Sequence, residues 1–514
     1  MRILPLAIAG VGLALMGLVV QTCLMPLLHH KVAQGVVLKP KGETFEMWRA
    51  PSLPLYQRIY LFNLTNPTEA ENGKQPNLTE IGPYVYRVYR TKENITFHDN
   101  ATVSYRERKR LEFVSELSAG SEEDIISTIN VPAMSMAMTM KRASFFTRLA
   151  ASATLGLSYP ETILSLSVSS LLWGYTDSLI STLTSLGQFP LGRFGLLAEH
   201  NDSLSGLYSI FTGEDDPSKA HSIDMWNGKR QVTYWKSLIA NQMLGTVGQL
   251  WPPFLPAHRP LAFFNPDACR SLWMDFVGEN VTDGITVYKY RFAPSLFTSP
   301  PPDSFYPPSQ HDPLPTEASP SPSPSADEAY CPCLKSGTIS LSKCRKGVPI
   351  YLSQPHFLDG DPSLQLSGLA PDRAQHGTEV LIHPLTGVPL SVNMKFQVNL
   401  LIESMSDFPV TKKFSKVLLP LIWFSEGGDV TGGFRDRIYT NLVLMPHVVS
   451  LAAWVALGLG VVLCLIAAAL AARKRKNGKD HRKIALQSNG KDSEAEIPMK
   501  PKLRVEDETR HQSL

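Results

Sequence analysis

Two long uncharged apolar runs, one near each end of the chain, constrain everything between them. Ile3 to Leu28 is 26 residues without a charge, and Val448 to Ala472 is 25. At about 1.5 Å per residue, either run crosses a hydrocarbon core of about 30 Å. A cleaved secretory signal is the alternative for the first run. Signal cores are shorter, about 7–15 residues, and end in a small-x-small site that is not evident here. Residues 3–28 therefore read as an uncleaved signal-anchor helix and residues 448–472 as a second transmembrane helix. The basic cluster RKRKNGKDHRK, Arg473 to Lys483, follows the second run directly, and the positive-inside rule assigns such a flank to the cytoplasm. Two spans then put residues 1–2 and the tail 473–514 in the cytoplasm, with residues 29–447 forming an ectodomain. The tail carries no acidic dileucine signal, which favours the plasma membrane.

The sequons agree with this topology. Asn63, Asn77, Asn94, Asn100, Asn201 and Asn280 each begin an Asn-x-Ser/Thr triplet, a glycosylation acceptor only on the lumenal side, and all fall between the spans. The charge balance agrees too. The whole chain is +3, but the tail from Arg473 holds 12 Lys and Arg against 7 Asp and Glu, leaving 36 against 39 for the ectodomain. The positive excess is a cytoplasmic feature suited to anionic membrane lipids, so no nucleic-acid partner is expected.

Within the ectodomain, GPYVYRVYR (Gly82 to Arg90) alternates with period two after a Gly-Pro turn, putting Tyr84, Tyr86 and Val88 on one side. Asn227-Gly228 between β-rich flanks is a hairpin signal. From Arg142 to Leu186 the period changes. Ser158, Pro160 and Glu161 have the spacing of a helix N-terminus, and Ile163, Leu164, Ser167, Leu171 and Leu172 approximate a helical stripe. Residues 299–328, dominated by Pro and Ser, read as an exposed loop. The fold class expected is α+β.

No G-x-S-x-G elbow, H-E-x-x-H, P-loop or EF-hand loop is found, so the chain reads as a non-enzyme without a cofactor or a metal. His356 and His383 read as satisfied core or turn residues. Cys23 and Cys464 lie in the spans. Cys269, Cys331, Cys333 and Cys344 lie outside, where an even number of cysteines in an oxidising compartment predicts two disulfides with three possible connectivities.

The series GPYVYR, NITF, LLWGY, FGLLAEHNDSLSGLYSIFTGE, WNGK, GQLWPPF, DACRSL, CPCLKSG, QPHFLDGDP, HPLTGVP and LVLMPHV resembles, in order, the class B scavenger receptor family. The resemblance implies a large antiparallel β-barrel-like ectodomain with an apical helical bundle over residues 142–186 and an internal apolar tunnel. It also implies a receptor for lipoprotein particles that passes cholesteryl esters, cholesterol or fatty acids to the membrane. Releasing an acyl chain of ~16 methylenes into water costs on the order of 13 kcal/mol, so a lined conduit removes most of that barrier. The alternative is an adhesion or sorting receptor that binds a protein at the same helices. By the same resemblance, Cys269 pairs with Cys344 and Cys331 with Cys333, and Arg142, Arg148, Trp173, Tyr175 and Thr176 belong to the ligand-binding apex. No Lys or Arg lies between Arg148 and Arg193, so serines and aliphatics replace charge in the docking surface. Leu514 is a candidate PDZ ligand by strand addition, although Gln512 is not the usual Ser or Thr. Gly460, Cys464 and Ala468, at four-residue spacing, offer a helix-pairing face for a homo-oligomer.

Overall fold

A computed structural model of the chain describes residues 3–51, 53–187, 192–235, 238, 240–297 and 336–489, without the side chains of Glu43, Arg142 and residues 483–489. The 299–328 segment, Cys331, Cys333 and the tail end with Gln512 and Leu514 lie outside the described residues. Two compact units are present, one of residues 1–27 with 444–514 and one of residues 28–443.

The first unit is built on the helices Ile3–Val36 and Met445–Asn489, both long and apolar enough to cross a membrane. Small residues bring them together. A Cβ on Gly10 would lie 2.8 Å from Cys464 Sγ, one on Gly17 2.6 Å from the Ala453 carbonyl oxygen, and one on Gly460 2.4 Å from the Ala14 nitrogen. Backbones approach this closely only where side chains are minimal. The Ser450 hydroxyl donates to Gln21 Oε1 at 3.1 Å across the same contact. Gly460 and Cys464, expected to pair two copies, thus face the first helix of their own chain.

The second unit is a sheet that almost closes on itself. In chain order its strands are β1 (Leu55–Leu64), β2 (Leu78–His98), β3 (Thr102–Phe113), β6 (Ser203–Leu204), β7 (Tyr208–Phe211), β8 (Ile223–Trp226), β9 (Leu261–Asn265), β10 (Arg270–Thr282), β11 (Ile285–Phe292), β12 (Thr338–Ser340), β13 (Ile350–Ser353), β14 (Glu379–Ile382), β15 (Pro389–Ile402) and β16 (Val417–Asp429), while β4 (Ile125–Ile129) and β5 (Ile163–Ser167) form a separate pair. The main path runs β8-β7-β3-β2-β1-β16-β15-β14-β11-β10-β9 with antiparallel pairing throughout. Its two ends meet through Gly245 and Thr246. Ile223 N–H donates to the Gly245 carbonyl at 2.9 Å, and Phe264 N–H donates to the Thr246 carbonyl at 2.8 Å. A Cβ on Gly245 would stand 1.9 Å from the Ala262 carbonyl oxygen, at a φ of +74°, so only glycine fits this seam.

The period-two reading of β2 places Tyr84, Tyr86 and Val88 in the core and Tyr89 outside, while Val85 on the second face is buried as well. Gly82 and Pro83, however, lie inside the strand rather than in a turn before it, next to the register shift between Ile59 and Leu61. Asn227 and Gly228 make the tight turn, both with positive φ, and Trp226 and Lys229 exchange backbone bonds at 2.9 and 3.0 Å. Among the described residues, the return flank forms an isolated bridge from Gln231 to Gln242 and no strand.

The 142–186 region holds three helices, Phe145–Ser158, Val168–Trp173 and Ser178–Ser185, with β5 between the first two. Ser158 ends a helix instead of starting one. Its hydroxyl donates back to the Thr154 carbonyl at 2.7 Å, and Tyr159 takes the left-handed cap. Ser144, Ser167 and Asp177 are the N-caps. Ile163 and Leu164, read as helical, pair with Ile129 and Thr128 of β4.

Candidate functional site

The residues assigned to the apex are not gathered on one surface. Trp173 lies against the core: its indole N–H donates to Glu122 Oε1 at 3.0 Å, and its ring stands edge-on to Tyr86 at 5.1 Å. Tyr86 donates its hydroxyl to the same oxygen at 2.7 Å. Tyr175 is buried in a cluster with Leu164 and Ile180. Trp173 is thus half-buried and Tyr175 buried, and both aromatics help fix the helices in place. Arg148 pairs with Asp407 at 3.2 Å. Thr176 is exposed and donates to the Gly192 carbonyl at 2.5 Å, and the side chain of Arg142 lies outside the described residues.

The Phe145–Ser158 helix supplies what those positions lack. It buries its small face, Ala151 and Ser158, together with Leu155. Its large side chains point outward: Phe145 is 64% exposed, Phe146 79%, Leu149 56% and Leu157 80%, with Tyr159 beyond the end at 86%. A contiguous apolar surface of this kind on a folded domain marks a site of contact. The exposed face of this helix is aromatic and aliphatic rather than serine-rich.

Inside the sheet, one wall is polar. Arg90 is bonded to both Glu107 and Glu426. Lys109 Nζ donates to Gln57 Oε1 at 2.8 Å and to Glu426 Oε2 at 2.6 Å, and Lys92 Nζ donates to Gln249 Oε1 at 2.8 Å. Burial opposes the charge on Glu107, but Arg90 and Lys92 beside it hold its carboxyl down at about 2. Burial lowers Lys92, with Glu107 opposing the shift. Across the interior Phe276, Tyr288, Met394, Val398 and Phe424 face the apolar cluster and remain partly accessible. The outward-facing Trp423, Lys395, Gln397 and Asn399 are instead buried, because the 350–377 segment covers them: His356 N–H donates to Gln397 Oε1 at 2.7 Å and Asn399 Nδ2 to the Tyr351 carbonyl at 3.1 Å.

That cover brings together Glu80, His356 and His376, whose ligand atoms lie within 4.8 Å of one another. The set has the composition of a metal site but not its hydrogen bonding. A neutral histidine that ligates through one ring nitrogen carries its proton on the other, which donates to an acceptor. Here His356 Nδ1 accepts from Ala370 N–H at 3.0 Å and His376 Nδ1 accepts from Asp372 N–H at 2.9 Å. Both neutral rings therefore carry their proton on Nε2, where a metal would sit. The His356 Nε2–H donates to Glu80 Oε2, which also accepts from Trp423 Nε1 at 2.6 Å. The cluster is a clamp that ties the 350–377 cover to the sheet. His356 is buried and bonded, as the sequence suggested, and so is His383, whose Nδ1 meets Thr386 Oγ1 at 3.0 Å in a turn. Glu80 and His376 were not singled out in the sequence; they lie 276 and 20 residues from His356 with no motif spacing between them.

Cys269 and Cys344 are disulfide-bonded across a separation of 75 residues. Of the sequons, Asn77, Asn94, Asn100 and Asn280 are exposed, while Asn63 and Asn201 are half-buried. Asn63 Oδ1 accepts from Ser127 N–H at 2.8 Å and Asn201 Oδ1 from Leu111 N–H at 2.8 Å.

A nearly closed antiparallel sheet with helical additions, in a chain with an apolar helix at each end, defines a two-span membrane protein with one large domain between its spans. Residues 8–471 match the CD36 family, and the chain belongs to that family. It is 37% identical to rat scavenger receptor class B member 1 over 468 residues, covering 90% of this chain and 88% of the relative. It is likewise 37% identical to scavenger receptor class B member 1 of Cricetulus griseus over 466 residues, 90% of this chain and 87% of the relative. Human lysosome membrane protein 2 is 29% identical over 434 residues, 82% and 85% of the two chains.

Proposed function

We propose that this chain is a plasma-membrane receptor, with both termini cytoplasmic, that captures lipoprotein particles on the Phe145–Ser158 helix and passes cholesteryl ester, cholesterol or fatty acid through the interior of the sheet into the membrane. The observation that carries the reading is the outward aromatic and aliphatic surface of that helix, where Phe146 and Leu157 are 79% and 80% exposed. Fully burying one such side chain is worth about 1.5–3 kcal/mol, so a few of them entering a particle's lipid surface give useful affinity without charge. The kinship with class B scavenger receptors supports the receptor role. The partly accessible inner residues Phe276, Met394, Val398 and Phe424 support an apolar route inside the sheet. Lipid moving down its own gradient along such a route needs neither ATP nor covalent chemistry.

The test replaces Phe146 and Leu157 together with serine and measures binding of fluorescent lipoprotein to cells at equal surface expression. Binding should weaken about tenfold or more, because both contacts are lost while the fold, which buries neither side chain, is kept. Unchanged binding removes the helix from the capture surface.

A further inference from the structure

A groove runs along the outer face of β1, β16 and β15 beside residues 373–377. It consists of two adjoining cavities of about 400 and 520 Å³, and Ser391, Asn393 and Lys395 line both. These volumes fall within the ~300–1,000 Å³ of small-molecule sites. Gln375 and Asp429 at its rim are exposed, so the groove is open to solvent.

Its carboxylates are all engaged. Glu379 takes Lys289 at 2.7 Å and Arg291 at 3.2 Å, Glu80 takes His356 and Trp423, and Asp429 accepts from the Ser391 hydroxyl at 2.6 Å. Arg373 in the same wall is paired with Asp359. Two cations have no carboxylate partner among the described residues. Arg58 sits over the Tyr56 ring at 5.8 Å. Lys395 is 5% exposed, and its Nζ donates to a neutral group, the Gln375 carbonyl, at 2.6 Å. Burial lowers Lys395 from the usual lysine value, with Glu379 opposing the shift and the nearby Arg58 reinforcing it. Asn393 Oδ1 already accepts from Ser425 at 3.0 Å, which leaves the Asn393 amide nitrogen as a donor. The unengaged groups are therefore donors, two of them like-charged and close enough to repel. Holding a buried cation without a directly paired counter-charge is costly; Glu379, already paired with Lys289 and Arg291, offsets this only in part, and an oxyanion supplies both the charge and the acceptors.

We propose that this groove binds an oxyanion of the phosphate class between Arg58 and Lys395, with the Asn393 amide as a third donor and the remaining volume receiving the organic part of a phosphate ester. The site stands apart from lipid capture and does not depend on it.

The test uses the full chain in phosphatidylcholine nanodiscs, titrated calorimetrically with inorganic phosphate and, separately, with monomeric dihexanoyl phosphatidic acid. One saturable site is expected, weakened by added salt and weakened about tenfold or more by Arg58→Gln and by Lys395→Met. Saturable binding of inorganic phosphate assigns the site to free or soluble phosphates. Binding of the phosphatidic acid alone, with the same dependence on the two residues, assigns it to a lipid headgroup. Arg58 is only half-buried, so its variant decides the matter even where Lys395→Met unfolds. Absence of saturable binding of either probe, or binding that survives Arg58→Gln, overturns the proposal.

Discussion

Acidification from pH 7.4 to 5.5 should destabilise the ectodomain by about 4 kcal/mol through three buried histidines. Burial lowers His221, His376 and His383 each from the usual value of 6.5 to about 4, and His376 has the stacked His356 as a further cause. All three are between 3% and 4% exposed, so solvent screening does little to reduce the effect. A histidine whose value is lower folded than unfolded binds fewer protons in the folded state between about pH 6.5 and 4. Stability then rises with pH across that window and is complete above it. The linkage integral gives about 1.3 kcal/mol per histidine over this pH step, and about 4 for the three. The depressed carboxylates Glu107 and Asp267, both near 2, lose their contribution only below the ordinary carboxylate range. Urea unfolding of the detergent-solubilised chain at the two pH values measures the difference, and His383→Gln should remove about a third of it. Equal stability at both values, or greater stability at pH 5.5, would refute the argument that these rings are held neutral.

Two further outcomes follow from the packing. Glu80→Gln removes the charge that two donors share, so the 350–377 cover should loosen and stability should fall by about 2 kcal/mol, read as a lower urea midpoint; an unchanged midpoint contradicts the clamp. Loss of Asn77, Asn94, Asn100 or Asn280 to Gln should each remove one glycan and increase gel mobility. Asn63→Gln and Asn201→Gln should leave mobility unchanged and lower the unfolding temperature, because both side chains are half-buried and hold backbone N–H groups of distant segments, Ser127 and Leu111; a mobility change at either position contradicts that assignment.

The features legible in the sequence are those set by local pattern. The apolar runs, the alternation of Tyr84, Tyr86 and Val88, and the Asn227-Gly228 turn each depend on neighbouring residues alone. What was misread depends on distant partners. Ser158 and Glu161 have a helix-start spacing, yet β4, more than thirty residues upstream, draws Ile163 to Ser167 into a strand. Nothing near Trp173 or Tyr175 in the sequence announces their partners, Glu122 and the cluster around Ile180. The Phe145–Ser158 helix inverts the usual arrangement, burying alanine and exposing phenylalanine. A periodicity argument assigns large apolar residues to the core, and this helix departs from it. The four-residue spacing of Gly460 and Cys464 carries a pairing signal that does not identify the partner, which here is the first helix of the same chain.

The central claim, that lipid leaves the particle and travels through the protein, is tested most directly by uptake of lipoprotein carrying one label on its cholesteryl ester and another on its protein. Cells expressing the chain should accumulate the lipid label in clear excess over the protein label. Equal uptake of both labels would mean that the whole particle is internalised, and would contradict transfer through the interior of the sheet.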